Sequence, residues 1–598
     1  MGMMGGMREA RMETHTIAGL SALVGLVFLQ VPADLARADT EADLILRDGR
    51  VITADPEFSV RQAIAIAGER ILRVGSDEEV LRTAGPRTRT VDLAGKTVLP
   101  GLIDSHVHAT SACMTEFDHP IPPMQRIDDV LAHVRSRADA LEDGDWIVIE
   151  QVFITRLAER RYPTREELDR AAPRNPVLFS TGPDASLSSL ALERSGIGKG
   201  FEIEDGGPGR VEKDPRTGEP TGILRSATRL VKVKRPEKDP GDDDRLRRLA
   251  ELIRDYNASG ITAIADRNAG DEAAELYTAL RKRGELTARV FLSRAVDAQK
   301  PLDEVLARIR QIAREPLRTS GDATLRTGGI KVFLDGGMLT GSAYLREPWG
   351  KSAIYSIDDP QYRGVLFIPP DKLLAMVRAA AEAGLQFTAH SVGDGAVHAL
   401  LDAYAEAAKT IPIAATRPCI THSNFMSREA VERLAKLGVV LDVQPIWLHL
   451  DGATLDAQFG RDRLRWFQPL RSIAAAKGIA GGGSDHMQKI GSLRSVNPYN
   501  PFLGMWIAIS RRALGLAEPL VPEEALSREQ AIRLYTTNNA WILGLEKEAG
   551  SLEAGKLADF IVIDRDVLSC PVDDIRETSV LETYVGGRLV TRPRDGGK

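Results

Sequence analysis

The sequence predicts an α/β chain: a (β/α)8 TIM barrel with a split composite β-sandwich domain at its two ends and a long insertion after the first barrel strand. Three observations predict it. From about Gly260 onward, short apolar segments alternate with helical periods, the pattern of βα units around a parallel sheet. The strand candidates number eight once VLPGLIDSH is added, the number that closes a barrel. Short alternating β patterns occur near the start of the chain and return at its far end.

Taken in order, Arg8 and Arg11 precede the apolar run Ile17 to Leu29, followed by a polar stretch with Ala36, Arg37 and Ala38. That order reads as a secretory signal peptide over residues 1–38, with an uncleaved N-terminal anchor as the alternative. The run is short for a bilayer span and no later stretch is long and apolar enough. No stable membrane insertion is therefore expected after cleavage, and the mature protein is expected in the periplasm or outside the cell.

Residues 39–97 read as the first part of the β domain, in DLILRDGRVIT, AIAIAGERILRV and TVDLAGKTVL; residues 546–598, with KLADFIVIDRD and TYVGGRLVTR, read as the second. Residues 98–545 read as the barrel. Its later strand candidates are ITAIAD, ARVFLSR, GIKVFLD, LQFTAH, PCITH, VVLDVQ and GIAGGGSD. Helical faces lie between them: Val397, Leu400, Leu401 and Tyr404 share one, as do Leu373, Leu374, Val377 and Ala381. Ser527 with Gln530 makes a capping-box pattern, and Gly384 and Gly438 stand where helices should stop. The stretch from about 109 to 225 is too long for a βα connection and reads as an insertion folding over the barrel mouth.

Composition narrows the function classes. The 598 residues are 43% hydrophobic and 27% charged, a globular balance, and a formal net charge of −6 gives no footprint for nucleic acid. A small-molecule substrate is the expected partner, and homo-oligomerisation is left open. Cys113, Cys419 and Cys570 lie far apart without CxxC spacing, so neither a disulfide framework nor a thiolate zinc site is indicated.

The chemistry concentrates at strand ends. In GLIDSHVH, His106 and His108 stand two residues apart, so a strand points both imidazoles to one side, at the mouth where this fold assembles active sites. Two neutral imidazoles suit zinc or a similar divalent ion. HxH alone is a weak signal, but ligand-type residues recur: Lys331 in GGIKVFLDGG, His390 closing LQFTAH, His422 closing PCITH and Asp485 closing GIAGGGSD. A buried lysine there needs a partner or a chemical change.

In that order, these residues resemble the pattern of the amidohydrolase superfamily, and closely its family-3 amidohydrolases, YtcJ-like and N-substituted formamide deformylase-like. TVLPGLIDSHVH, PTREELD, NPVLF, TGEPTGIL, GITAIAD, IKVFLDGG, HSVGDGAV, VQP, GGGSDH and GSLEAGKLADFIVID carry the likeness from about Ala42 to the end of the chain. The resemblance implies a metal-dependent hydrolase holding one or two divalent ions, zinc first. His106, His108, Lys331 and Asp485 would hold one ion, and Lys331, His390 and His422 a second, with Lys331 carboxylated as an anionic bridging ligand. It implies hydrolysis of an amide, formamide or cyclic amide by activated water, with Asp485 as the catalytic proton carrier. An esterase, lactonase or carbamate hydrolase on the same centre, and a non-catalytic extracytoplasmic binding or regulatory protein, are the alternatives.

Other residues are read more modestly. His486 beside Asp485, His449 after the VQP strand and Gln444 within it are candidates for substrate contact. His398 reads as structural, Asp394 as the N-cap of its helix, and His119 and His133 as surface residues of the insertion. The run Gly481, Gly482, Gly483 reads as close backbone packing, lacking the lysine of a phosphate loop. Two departures bear on substrate: STGPDASLSSLAL puts Pro183, Asp184 and Ser188 where the family shows a histidine and an asparagine, and Thr421 replaces its glutamate.

Overall fold

Eight parallel strands form the centre: β1 (Leu102–Val107), β2 (Ile261–Ala269), β3 (Arg289–Ala295), β4 (Leu325–Phe333), β5 (Gln386–Ser391), β6 (Cys419–His422), β7 (Val440–Val443) and β8 (Ile479–Gly482), each paired with its sequence neighbour. This is a computed structural model that describes residues 40–150, 152–207, 209–234, 240–320 and 322–591. The signal-peptide reading falls on residues 1–38, outside the described residues. The chain divides into two units, Met1–Glu41 and Ala42–Lys598, and the second carries every element described. None of the described helices is long and apolar enough to cross a membrane.

The barrel closes where the chemistry lies. Beyond β8, Asp485 N–H donates to His106 O at 2.8 Å and His108 N–H to His486 O at 2.8 Å, so the seam joining β8 to β1 is made by the candidate metal residues themselves. All eight strand candidates of the sequence appear, with one revision. VLPGLIDSH is two strands, because Thr97–Pro100 belongs to the β sandwich and the chain breaks at Gly101 before entering β1. A Cβ at Gly101 would run into Thr262, so only glycine lets the two sheets meet there.

The sandwich has a four-stranded and a six-stranded sheet. In the larger, Phe560–Ile563 from the far end of the chain pairs antiparallel with Thr97–Pro100 from its start, Val562 opposite Val98. Leu46, Val51, Ile64, Val98, Phe560 and Val562 are buried between the sheets. Arg289 of β3 ties the barrel to this layer through a buried pair with Asp559, Nη2 to Oδ1 2.8 Å.

After β1 the chain builds a third sheet of five strands, from Ile147–Glu150 to Pro220–Arg225, flanked by helix α1 (Ile127–Ala140). The buried face of α1 carries Ile127, Val130, His133 and Val134. A second excursion, between Phe333 and Pro370, has neither helix nor strand and was not expected from the sequence. It is anchored by Asp335, whose carboxylate accepts N–H bonds from Tyr344 (3.0 Å), Val392 (2.9 Å) and Gly393 (2.9 Å). Burial still lifts its pKa to about 7.

Helix detail largely follows the sequence. Val397, Leu400, Leu401 and Tyr404 are buried; Leu373 and Val377 are buried while Leu374 and Ala381 are only partly so. Ser527 and Gln530 form the capping box, and Gly384 and Gly438 adopt positive φ at helix ends. Asp394 is a correction: Gly393 is the N-cap, and the Asp394 carboxylate accepts the backbone N–H of Arg346 instead (2.9 Å).

Candidate metal centre and active site

The strand ends converge. His106 Nε2, His108 Nε2 and Asp485 Oδ1 form a near-equilateral triangle with sides of 3.3, 3.3 and 3.2 Å. Donors about 2.0–2.2 Å from a divalent ion at tetrahedral angles stand ~3.4 Å apart, so the triangle fits one ion without rearrangement. Asp485 is one of the few non-glycine residues with positive φ (+55°), and His422 is another (+73°). These left-handed conformations are held by neighbours, Asn497 Nδ2 donating to Asp485 O at 2.9 Å and Ser423 N–H to Ser391 O at 2.9 Å.

A second pair faces the first. The rings of His390 and His422 stand 4.5 Å apart, and those of His422 and His106 5.2 Å apart. Lys331 is 99% buried as a residue, and its Nζ makes no hydrogen bond or ion pair among the described residues. All six side chains line one cavity of about 730 Å³.

Tautomers follow from the outer contacts. His106 Nδ1–H donates to Asp442 (2.9 Å) and His422 Nδ1–H to Gln444 Oε1 (2.7 Å), leaving both Nε2 lone pairs free for a metal. His390 Nε2–H lies 3.3 Å from Gly336 O, leaving its Nδ1 free. Burial, reinforced by the Lys331 charge, holds His106 well below the usual histidine range and His390 down to about 3, so these are neutral ligand-type imidazoles. Burial also pulls Lys331 down to about 8. For Asp485, burial pushes upward but His106 and His108 outweigh it, and the carboxyl sits below its ordinary value.

Sequence reasoning missed the layer beneath. Asp442, fully buried, accepts from Ser105 Oγ (2.7 Å), His106 and Gln444 Nε2 (3.0 Å), and pairs with Arg267 Nε at 3.5 Å. Arg267, also fully buried, donates to Ser105 O (3.0 Å), Ser293 Oγ (2.8 Å) and Gln386 Oε1 (2.9 Å). A carboxylate in VVLDVQ and a guanidinium in AIADRN, each inside an apolar strand, were the available signal, since charges buried there must pair.

Three substrate candidates are corrected, because none lines the cavity. His486 turns into the protein, accepting from Tyr256 OH at Nδ1 (2.7 Å) and donating to Lys489 O (2.7 Å), as adjacent positions on a strand face opposite ways. His449 packs on Trp506 and binds Arg512 O (2.8 Å). Gln444 is fully buried and orients His422. His119 and His133 are corrected in the other direction: both line the cavity, stacked with centroids 5.6 Å apart, because His133 shares the inner face of α1 with Val130. His398 is structural, bonded to Ser427 Oγ (2.9 Å). Of the residues at the departure, Pro183 reaches the cavity, Asp184 pairs with Arg225, and Ser188 caps a helix. Thr421 is buried, 3.4 Å from Asp442. A Cβ on Gly483 would stand 2.8 Å from His106 N, so the glycine run is indeed close packing.

Burial carries His133 and His486 each down to about 4. Their unfolded pKa is about 6.5, so between that value and about 4 the unfolded chain binds more protons than the folded one. Their contribution to stability is complete above about pH 6.5 and is lost as pH falls. Buried carboxyls such as Asp335, raised to about 7, act the opposite way, so the check is differential. The change in urea midpoint of the metal-free protein from about pH 7.5 to about pH 5 should be less unfavourable in His133→Phe than in the wild type; identical changes would contradict the buried neutral state of His133.

Barrel and donor set together define a metal-dependent hydrolase. The family model described as "Amidohydrolase family" matches residues 89–591, and the chain belongs to that family. It is 31% identical to the N-substituted formamide deformylase of Arthrobacter pascens over 92% of this chain and 98% of that protein. It is 26% identical to the putative amidohydrolase YtcJ of Bacillus subtilis over 91% and 99%. In fold it matches a metal-dependent hydrolase from Pyrococcus furiosus, with TM-score 0.61 and 23% identity over 88% of this chain and all of that one.

Proposed function

We propose that the protein is an exported hydrolase that cleaves a non-peptide carbon–nitrogen bond, in an amide, formamide or cyclic amide, using zinc at the barrel mouth. The observation that carries the reading is the set of six side chains on one cavity, three of them in a triangle of metal-ligand dimensions. The deformylase relative supports carbon–nitrogen cleavage, and the order of charged, apolar and small residues over 1–38 supports export.

His106, His108 and Asp485 would hold one ion, and His390 and His422 a second, with Lys331 between them as a carbamate. A buried amine whose pKa is about 8 is partly neutral near pH 7 and can add to carbon dioxide. The nitrogen–carbon bond forms, a proton leaves to solvent, and the lysine becomes an anion. When bound, a divalent ion polarises a carbonyl and lowers the pKa of water toward neutrality. Asp485 takes the proton of the attacking water and delivers it to the leaving nitrogen, the step an amine leaving group requires. Asp442 and Gln444 hold the imidazoles in the tautomers the site needs.

Elemental analysis of purified protein, combined with an amide, ester and carbamate panel with and without chelator, tests this. Amide hydrolysis that disappears on chelation and returns with zinc is the expected result. Metal-loaded protein that cleaves esters alone, or nothing, overturns it.

A further inference from the structure

Formamide-sized groups need little of the cavity that lies over the metal residues. Its volume of about 730 Å³ falls within the roughly 300–1,000 Å³ of sites that enclose drug-sized ligands. Barrel strand ends make its floor. The insertion after β1 makes a large part of the remaining wall, where Met114, Phe117, Ile121, Met124, Ile149 and Phe153 give an apolar patch beside the carboxylates of Asp118 and Glu150. Among the described lining residues, Lys331 is the sole lysine or arginine, and it sits with the metal residues.

One polar group in this wall has no partner. His133 is 92% buried, lines the cavity and makes no side-chain hydrogen bond or ion pair among the described residues. Its ring stacks on His119, which is held by Asp118 through Nδ1 at 3.0 Å, and Asp118 in turn accepts from Arg137 Nη2 at 3.1 Å. The imidazole is thus fixed by packing while its nitrogens, met by no protein group among the described residues, stay open to the cavity and to a ligand that enters it.

We propose that the substrate carries, beyond the scissile bond, an apolar arm without an anionic group, and that His133 is the specificity-determining residue that hydrogen-bonds a neutral polar group, such as a hydroxyl or ether oxygen, on that arm. The inference rests on the carbon–nitrogen hydrolase reading and names its substrate class. An apolar arm gains by leaving water for the methionine and aromatic wall. A carboxylate there would be desolvated without a cation to meet it. The neutral imidazole offers one donor and one acceptor, which suits an uncharged partner.

The test uses metal-loaded full-length protein and four N-substituted formamides: methyl, a plain aryl-alkyl arm, the same arm bearing a hydroxyl, and the same arm bearing a carboxylate. Both uncharged aryl substrates should exceed the methyl and carboxylate compounds in kcat/KM by at least about tenfold. His133→Phe should raise KM for the hydroxylated arm by about tenfold more than for the plain arm. His133→Gln, which keeps a donor and an acceptor, should restore part of the loss. Calorimetric titration of the same compounds into chelated protein, where no turnover intervenes, should give the same ranking.

Equal kcat/KM for carboxylated and neutral arms, or equal losses for both aryl arms in His133→Phe, overturns the inference while leaving amide hydrolysis intact. Failure to cleave any formamide or other amide would instead remove the carbon–nitrogen reading itself. The calorimetric ranking then still decides whether the cavity selects the arm.

Discussion

Replacing Asp485 with asparagine should leave metal bound and abolish nearly all turnover. The asparagine keeps an oxygen where Asp485 Oδ1 now stands, 3.3 Å from His106 Nε2 and 3.2 Å from His108 Nε2, so the donor triangle survives. What it loses is the ability to carry a proton. General acid–base assistance is worth about 10²–10⁴-fold, and a loss in that range in kcat, with metal content by elemental analysis close to wild type, is the expected pair of results. Activity near normal would refute the assignment. Loss of metal together with activity would make Asp485 a ligand first and a proton carrier second. Backbone geometry favours a clean experiment: Asp485 sits at φ +55°, a region asparagine tolerates as well as aspartate.

Lys331→Met should be nearly as damaging for a different reason. Methionine fills almost the same volume but cannot become a carbamate, so under the proposed two-ion reading the second ion would lose its anionic ligand and be left with His390 and His422. Metal per chain should fall, and kcat/KM with it by on the order of a thousandfold, the value of several kcal/mol of Lewis-acid stabilisation. Stability of the metal-free protein should not fall in parallel. Lys331 is 99% buried as a residue, and burial and Arg267 both act against its charge. An apolar replacement removes that cost. Native mass spectrometry gives an independent check, since wild-type protein should carry a labile adduct of one carbon dioxide that the variant lacks. A variant that keeps full metal and turnover would show that the lysine does not serve the centre.

The outer contacts explain why both variants can be read separately. Asp442 is wedged between His106 and Arg267, and Gln444 bridges Asp442 and His422. Neither substitution touches this layer directly, so the imidazoles keep their tautomers.

What the sequence by itself determined is whatever repeats locally. Period-two alternation and strand–helix succession located all eight barrel strands, and the spacing His106, His108 put two imidazoles on one side of β1. Ligand-type residues at strand ends marked Lys331, His390, His422 and Asp485, because a barrel brings its strand ends to a common mouth. The break at Gly101 was hidden because both halves of VLPGLIDSH are equally apolar; only the meeting of two sheets at Thr262 separates them.

The tertiary structure alone decided which polar residues face the cavity and which serve as its scaffold. His486, beside Asp485, points at Tyr256, whereas His133, in a helix of the insertion, reaches the cavity wall. Asp442 and Arg267 lie on distant strands and become a pair only when the barrel closes. The physical reason is that strand periodicity fixes the face of a side chain relative to its own neighbours. Its partner across the barrel, or under an inserted domain, depends on long-range packing that no local pattern encodes.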